Sequence, residues 1–344
     1  MKAVILTKPT KGSEVVLSDI DIPQVKPGWV LVKVKGFGMN HSEAILREFE
    51  IECDYIKKPI IPGIECVGEI ADPSDSDFKI GEKVVALMGG MGRSFDGSYA
   101  EYALLPVHHV FSVDSKLSWA EMAAVPETYF TAWGSIFQCL KLEKDDIILI
   151  RGASCALGYV AIQLAKALGC KVIGTTHKKE KISLLENAGC DICILDDGNI
   201  KEKINEKING KINEKIEEKN NDKTNDIINY DLKINKALEL VGIKTIKDTM
   251  QSMASGGIVC NTGILGGVFE WNNFDPIKDI PNGVYLTSFY SNYPTKEMMQ
   301  DIFSFMDEHA LKPLIGKEFT FDKISEACEA LDEGKINGKI VVTV

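Results

Sequence analysis

Residues Ile147–Gly158 read IILIRGASCALG and run on into Tyr159–Lys179, YVAIQLAKALGCKVIGTTHKK. An apolar run (Ile147–Ile150) meets a small-residue turn (Gly152–Ala156). An amphipathic helix (Leu157–Leu168) and a second apolar run (Lys171–Thr175) follow. This pattern is a strand–turn–helix–strand unit whose turn suits a phosphate. Unpaired N–H groups and the positive dipole end of the helix favour an anion there. The turn departs from the G-x-G-x-x-G ideal: Gly152 and Gly158 are present, but Cys155 stands at the middle glycine. That glycine normally lets the backbone approach a pyrophosphate closely. A dinucleotide is the expected ligand.

The end of the second apolar run bears on which dinucleotide. A site for an unphosphorylated ribose usually carries an Asp or Glu there, bonded to the 2′-hydroxyl. Here Gly174–Lys181 reads GTTHKKEK, with no acid from Thr175 to Lys179. Hydroxyls and cations suit a 2′-phosphate, so NADP(H) is the expected cofactor.

A chain of 344 residues suggests two domains. Its 45% hydrophobic and 26% charged content is ordinary for a globular protein. A net charge of −11 argues against non-specific nucleic-acid binding and against attraction to anionic membranes. No apolar run approaches a membrane span. The opening MKAVILTKPTKGSE turns polar within a few residues, so no secretory leader is expected. The nine cysteines (53, 66, 139, 155, 170, 190, 193, 260 and 328) have no framework spacing. Reduced thiols in a cytoplasmic protein are expected. Cys190-x-x-Cys193 lies in GCDICIL, which reads as a short buried strand, and the two are expected to be structural thiols.

Residues 1 to about 118 carry short alternating runs punctuated by Pro-Gly at 27–28 and 62–63. They read as a compact, barrel-like β domain. Ser118 with Glu121 three residues on marks a helix start, and Thr131–Leu140 reads as a second helix. Strand, turn and helix units then continue to about Ser291, as in a doubly wound sheet. The predicted organisation is a β domain at 1–125, completed by about 310–344, and a dinucleotide-binding domain at 126–309. Between about 199 and 229 the chain is rich in Asn, Lys and Ile, with Ile at 200, 204, 208, 212 and 216. A strict four-residue repeat drifts by about 40° per step on a helix of about 3.6 residues per turn. The isoleucines are therefore not expected to face one core, and the segment reads as a solvated insertion.

The chain resembles the medium-chain dehydrogenase/reductase superfamily, and within it the zinc-free NADPH:quinone oxidoreductase branch. The resemblance rests on GFGMNHSE (36–43), PGIECVGEI (62–70), ALMGGMGRSFDGSYAEY (86–102) and LSWAEMAAVPETYFTAWGSIF (117–137). GGIVCNTGILGG (256–267), LTSFYS (286–291) and NGKIVV (337–342) extend it. It implies an α/β protein: a GroES-like β-barrel domain plus a Rossmann doubly wound parallel sheet, with a cleft between them, usually in a homodimer. Zinc-containing relatives place Cys, His and Cys where this chain has Asn40, Ile64 and Glu127. A catalytic zinc needs three protein ligands, and an aliphatic Ile supplies none, so no metal is expected. His108-His109 would point to opposite faces of a strand.

The resemblance also implies site residues. Asn40 and Glu43 match positions near the nicotinamide ribose or the substrate, and Thr128 and Thr131 the nicotinamide-side helix. Gly152, Ala153, Cys155, Leu157 and Gly158 would contact pyrophosphate, and Thr176, His177 and Lys181 the 2′-phosphate. Gly263, Ile264 and Leu265 would edge the nicotinamide, while Asn337 and Lys339 would close over the cofactor. No residue stands out as a general acid: Tyr55 and Tyr129 are the candidate proton donors on their chemistry, with aromatic packing as the alternative for both. Glu65 and Glu127 stay open between a proton relay and a structural role, as does Arg93 between an anionic substrate and solvent.

Without a metal, acceptors whose negative charge delocalises are favoured: a quinone or an activated enone. The catalytic set is Asn40, Glu43, Thr128 and Tyr55. The alternatives are an enoyl-thioester reductase of the same superfamily and a crystallin-like or RNA-binding relative with secondary catalysis.

Overall fold

The computed structural model describes residues 1–204, 206–207 and 233–344. They form two compact units, Met1–Phe130 with Ser291–Val344, and Thr131–Tyr290.

The first unit is built on the eleven-residue strand Trp29–Met39. It pairs antiparallel with Glu65–Asp72, Tyr102–Pro106 and the C-terminal strand Lys339–Thr343. Ile315–Thr320 adds to the last of these in parallel, and Lys83–Leu87 followed by Val110–Ser112 extends the other side. The tail thus returns to the N-terminal sheet. Alternation drives this arrangement: Val30, Val32, Val34 and Phe37 are buried with Ile60, Val84 and Phe321 in one core. Phe37 stacks on Tyr99 with ring centroids 4.5 Å apart. The helix start at Ser118 is as expected, since its hydroxyl accepts from the Glu121 N–H.

The second unit is a six-stranded, all-parallel sheet. Its spatial order is Ile192–Leu195, Lys171–Thr176, Ile147–Arg151, Lys236–Glu239, Ile258–Asn261 and Tyr285–Ser288. The order reverses beside Ile147–Arg151, which is the switch point where open α/β sheets bind ligands. The central strand, Ile147–Arg151, is buried from Ile148 on and almost wholly apolar, as burial on both faces requires, whereas the edge strand Tyr285–Ser288 is partly exposed. The helix Ala156–Leu168 ends at Gly169, whose φ of 91° provides a left-handed cap.

Several expectations need correction. The single helix at Thr131–Leu140 is instead the end of a helix, Pro126–Trp133, followed by a π-helical turn, Gly134–Cys139. Gly134 allows this packing, because a Cβ there would lie 2.0 Å from the Phe289 ring. Ile200 and Ile204 do reach a core, at 0% and 5% exposed, against Ile192, Ile194 and Met250. The rest of the Asn/Lys/Ile-rich segment, residue 205 and residues from 208 on, lies outside the described residues. Cys190 and Cys193 are only half-buried, and their thiols touch. The Cys193 thiol and burial together push the Cys190 thiol well up. No helix among the described residues is long and apolar enough to cross a membrane.

Candidate functional site

In the first unit, antiparallel register brings together residues 299 positions apart. Ile340 pairs with Met39, so the next position along each strand sets Lys339 across from Asn40. The Lys339 ammonium lies 2.5 Å from Asn40 Oδ1, 2.8 Å from Thr128 Oγ1 and 2.8 Å from Glu65 Oε1. Glu127 is farther, at 3.9 Å. Asn40 Nδ2 donates to the same Glu65 oxygen at 2.8 Å, and the Glu127 N–H donates to the other at 2.8 Å. Gly38 makes room for this bridge. A Cβ there would sit 2.5 Å from Lys339 Cε and 2.6 Å from Glu65 Oε1.

Glu43 caps the helix His41–Glu48 from within. Its carboxylate accepts from the Asn40 N–H at 2.5 Å and the Ile64 N–H at 3.2 Å. It is 3% exposed. Burial first, then the neighbouring Glu65 carboxylate, pushes its pKa up to about 7, against the pull of Lys339. Lys339 is buried as well, and its ammonium is held above its usual range by Glu65 and Glu127, in spite of burial.

In the second unit, Gly152 takes a φ of 80°, which a side chain would resist. Its N–H donates to Thr175 Oγ1 at 3.1 Å. Cys155 is the N-cap, its sulfur accepting from the Gly158 N–H at 3.3 Å. Gly158 is packed so closely that a Cβ would lie 2.4 Å from the Ala153 carbonyl oxygen. Leu157 lies in the first turn of this helix. The Ser154 and Thr176 hydroxyls pair at 2.9 Å where the first two strands of this unit end. Lys178 and Lys181 lie nearby, and neither forms an ion pair among the described residues. Partial burial, then Lys178, holds the Lys181 ammonium below its usual range, a local excess of positive charge that an anion would relieve. His177 is exposed. The Gly263–Leu265 loop packs on this turn: Leu265 Cδ1 lies 3.4 Å from where a Cβ of Gly152 would be.

Below the turn sits Arg151, with no exposed surface. Its Nε and Nη2 donate to the two Asp196 oxygens at 2.8 and 2.9 Å. Its Nη1 reaches Asp248 Oδ2 at 2.7 Å and the Thr245 carbonyl and Thr249 hydroxyl at 3.0 Å. Glu239 joins the network through the same two threonines.

Some sequence expectations do not survive. Lys339 does not close over a surface, because it is buried in the Asn40–Glu65 bridge. Glu65 is accordingly a salt-bridged acid, fully buried. Arg93 is half-buried and held by the protein: it pairs with Glu50 at 2.8 Å and donates to the Ser42 carbonyl at 3.1 Å. His108 and His109 lie in a 3₁₀ turn with ring centroids 4.3 Å apart, not on opposite faces of a strand. Tyr55 is 62% exposed beside Glu50 and Cys53. Desolvation and Glu50 push its hydroxyl up to about 12, which leaves it a weak acid at neutral pH. Tyr129 is fully buried, Thr131 accepts at its carbonyl from Ser135 Oγ at 2.7 Å, and Asn337 is exposed at the turn before the last strand. Ser154 and Arg151 were missed by sequence reasoning. A charged residue ending the apolar run IILI just before Gly152 was the available signal for Arg151.

Comparison with known proteins follows this division. The alcohol dehydrogenase GroES-like domain family matches residues 26–115, and the zinc-binding dehydrogenase family matches residues 217–342. A human quinone oxidoreductase is 29% identical over 337 residues, covering 94% of this chain and 92% of that protein. An alcohol dehydrogenase of Geobacillus stearothermophilus is 25% identical, covering 99% and 98%. A quinone oxidoreductase structure from Pseudomonas syringae superposes with a TM-score of 0.80 at 20% identity, covering 100% and 99%. A mycobacterial protein solved in complex with NADPH gives 0.76 at 20%, covering both chains fully.

Proposed function

We propose, for a chain that belongs to the medium-chain dehydrogenase/reductase superfamily and to its quinone oxidoreductase branch, that it reduces a quinone or activated enone with NADPH and without a metal. The observation that carries this reading is the anion-ready corner of the second unit: a left-handed Gly152, the Ser154–Thr176 hydroxyl pair and two lysines with no ion pair among the described residues, with no acid at the strand end.

A dinucleotide fits these residues. The turn at Gly152–Gly158 would hold the pyrophosphate, with Gly158 keeping the helix close. Ser154, Thr176, His177 and Lys181 would hold the 2′-phosphate, and the hydrophobic edge at Gly263–Leu265 would border the nicotinamide. Bound NADPH supplies a hydride. The protein's own contribution is to position the acceptor, exclude water and offer hydrogen-bond donors to the oxygen that gains charge. Asn40 and Thr128 are the donors assigned here, and Glu43 the group that exchanges a proton near neutral pH.

A catalytic zinc does not fit the first unit. Of the positions that ligate zinc in metal-bearing relatives, Ile64 has no donor atom, and the Lys339 ammonium already lies against Asn40 and near Glu127. This reading carries with it a cytoplasmic homodimer with no nucleic-acid partner, which light scattering and fractionation test.

The deciding experiment follows NADPH and NADH oxidation against a panel of quinones, enones and enoyl-thioesters, with metal analysis of the same sample. Turnover of quinones and enones preferring NADPH and unaffected by chelator is expected. Equal use of NADH would undo the assignment of Ser154–Lys181. Activity abolished by chelator would undo the metal-free chemistry, and turnover confined to thioesters would shift the substrate class.

A further inference from the structure

We propose that Lys339 is a positioning residue that orients Asn40 and Thr128 as a pair of donors for the acceptor oxygen. This rests on the reductase reading above and deepens it.

Hydrogen-bond valence fixes the orientation of both groups. A lysine ammonium has three donors and no acceptor. Here three acceptors surround it within 2.8 Å: Asn40 Oδ1, Thr128 Oγ1 and Glu65 Oε1. Each of the first two is thereby committed. Thr128 accepts at its oxygen, so its own hydroxyl proton must point away from the ammonium. Asn40 turns its carbonyl to the ammonium and one amide proton to Glu65, which leaves its second amide proton for another acceptor. A carboxylate or a neutral amide in place of Lys339 would let both groups rotate. The ammonium also polarises the two groups that accept from it, which strengthens the donors on their far sides.

Glu65 keeps the arrangement stable. A buried ammonium without a partner is costly, and Glu65 neutralises it while its second oxygen is held by the Glu127 N–H. Gly38 lets the bridge pass. The cation therefore acts through Asn40 and Thr128 and does not itself face the acceptor.

Bound NADPH would supply a hydride to the electrophilic carbon of an enone, forming the new C–H bond there and leaving as NADP⁺. The displaced π pair would collect on the carbonyl oxygen, and the enolate would then take up a solvent proton exchanged through Glu43 to give the saturated ketone. The coenzyme is oxidised and the enone reduced. The two donors stabilise the charge on that oxygen as it develops.

The test compares Lys339→Met, Lys339→Arg and Thr128→Val with the wild type across enones of graded electron demand. Lys339→Met should lower kcat/KM about a hundredfold, the scale of losing an oxyanion donor. NADPH affinity, read by nicotinamide fluorescence, should stay within about threefold of the wild type, well under the tenfold that 1.4 kcal/mol represents. The rate should also fall off more steeply for the less activated enones. Lys339→Arg should recover part of the loss, and Thr128→Val should lose about tenfold in the same sense. Wild-type rates in Lys339→Met overturn the proposal, as does a loss of NADPH affinity equal to the loss of rate. Should Lys339→Met fail to fold, Thr128→Val decides: wild-type rates on every enone overturn the proposal. A wild type inactive on all acceptors overturns the reductase reading and this one together, whereas an active wild type with unaffected variants overturns this one alone.

Discussion

Lys339 in the first unit and Arg151 in the second are both buried cations faced by several carboxylates, yet their surroundings differ in kind. Arg151 is saturated: every N of its guanidinium donates to an oxygen of the strand ends or of the following turn, and none of its surface is exposed. Its planar fork matches Asp196 in a bidentate pair, so the charge is spent on holding the ends of parallel strands under the Gly152 turn. Lys339 has three donors, and two of them go to neutral groups that retain donors of their own. The first cluster also sets Glu43, Glu65 and Glu127 around one ammonium, and burial first, then the Glu65 carboxylate, pushes the Glu43 pKa up to about 7. A saturated network makes a scaffold; an unsaturated one leaves chemistry available.

The largest expected effect tests the scaffold. Arg151→Met leaves the buried Glu239 and the half-buried Asp196 and Asp248 without their cation and should cost about 3–5 kcal/mol of stability. Denaturant unfolding measures it, and a wild-type midpoint would erase the distinction between the two clusters.

The pH dependence of stability tests the raised Glu43 pKa. The pKa of Glu43 is raised from 4.5 to about 7, so between those values the folded chain binds more protons than the unfolded one. Stability from this group is therefore full below about pH 4.5 and is lost as pH rises through 7, by about 3 kcal/mol at 1.36 kcal/mol per pKa unit. Glu43→Gln should flatten that fall in unfolding measured from pH 5 to 8. An unchanged slope would assign the fall to another group.

Packing separates the two clusters next. Gly38→Ala places a Cβ against Lys339 Cε and Glu65 and should cost about 1–3 kcal/mol together with a drop in enone reduction. Loss of stability with full activity would detach the bridge from the chemistry. The smallest effect concerns the coenzyme. Ser154→Ala or Lys181→Ala should weaken NADPH binding by about 1 kcal/mol, the worth of one hydrogen bond, and leave NADH unchanged in titration calorimetry. Equal losses for both would move the 2′-phosphate elsewhere.

The strand–turn–helix corner at Ile147–Leu168 was legible because its signals are local. Apolar runs of strand length, a helical period and glycines at a turn lie within thirty residues, and neighbours in sequence are neighbours in space there. The lack of an acid after Thr175 was equally readable. Asn40, Glu43 and Thr128 were named through resemblance, and contacts in the first unit join Asn40 and Thr128 to Lys339. Tyr55 was named on chemistry alone and proved exposed. Lys339 was placed on the wrong side of its strand's function, because nothing near NGKIVV shows which oxygens it meets. Gly38 carried a usable hint, since a glycine inside a strand often marks a close approach. Ile200 and Ile204 were read from periodicity over the whole repeat, whereas their burial depends on two turns only.

By itself, then, the chain's order of residues determined the two-part α/β plan, the glycine turn between strand and helix and the absence of an acid at the following strand end, since each depends on short-range period, turn geometry and residue chemistry. Tertiary structure alone decided which charges face each other. Antiparallel register set Lys339 across from Asn40, and the ends of separate parallel strands closed around Arg151. Those pairings arise from long-range strand order, which no local stretch encodes.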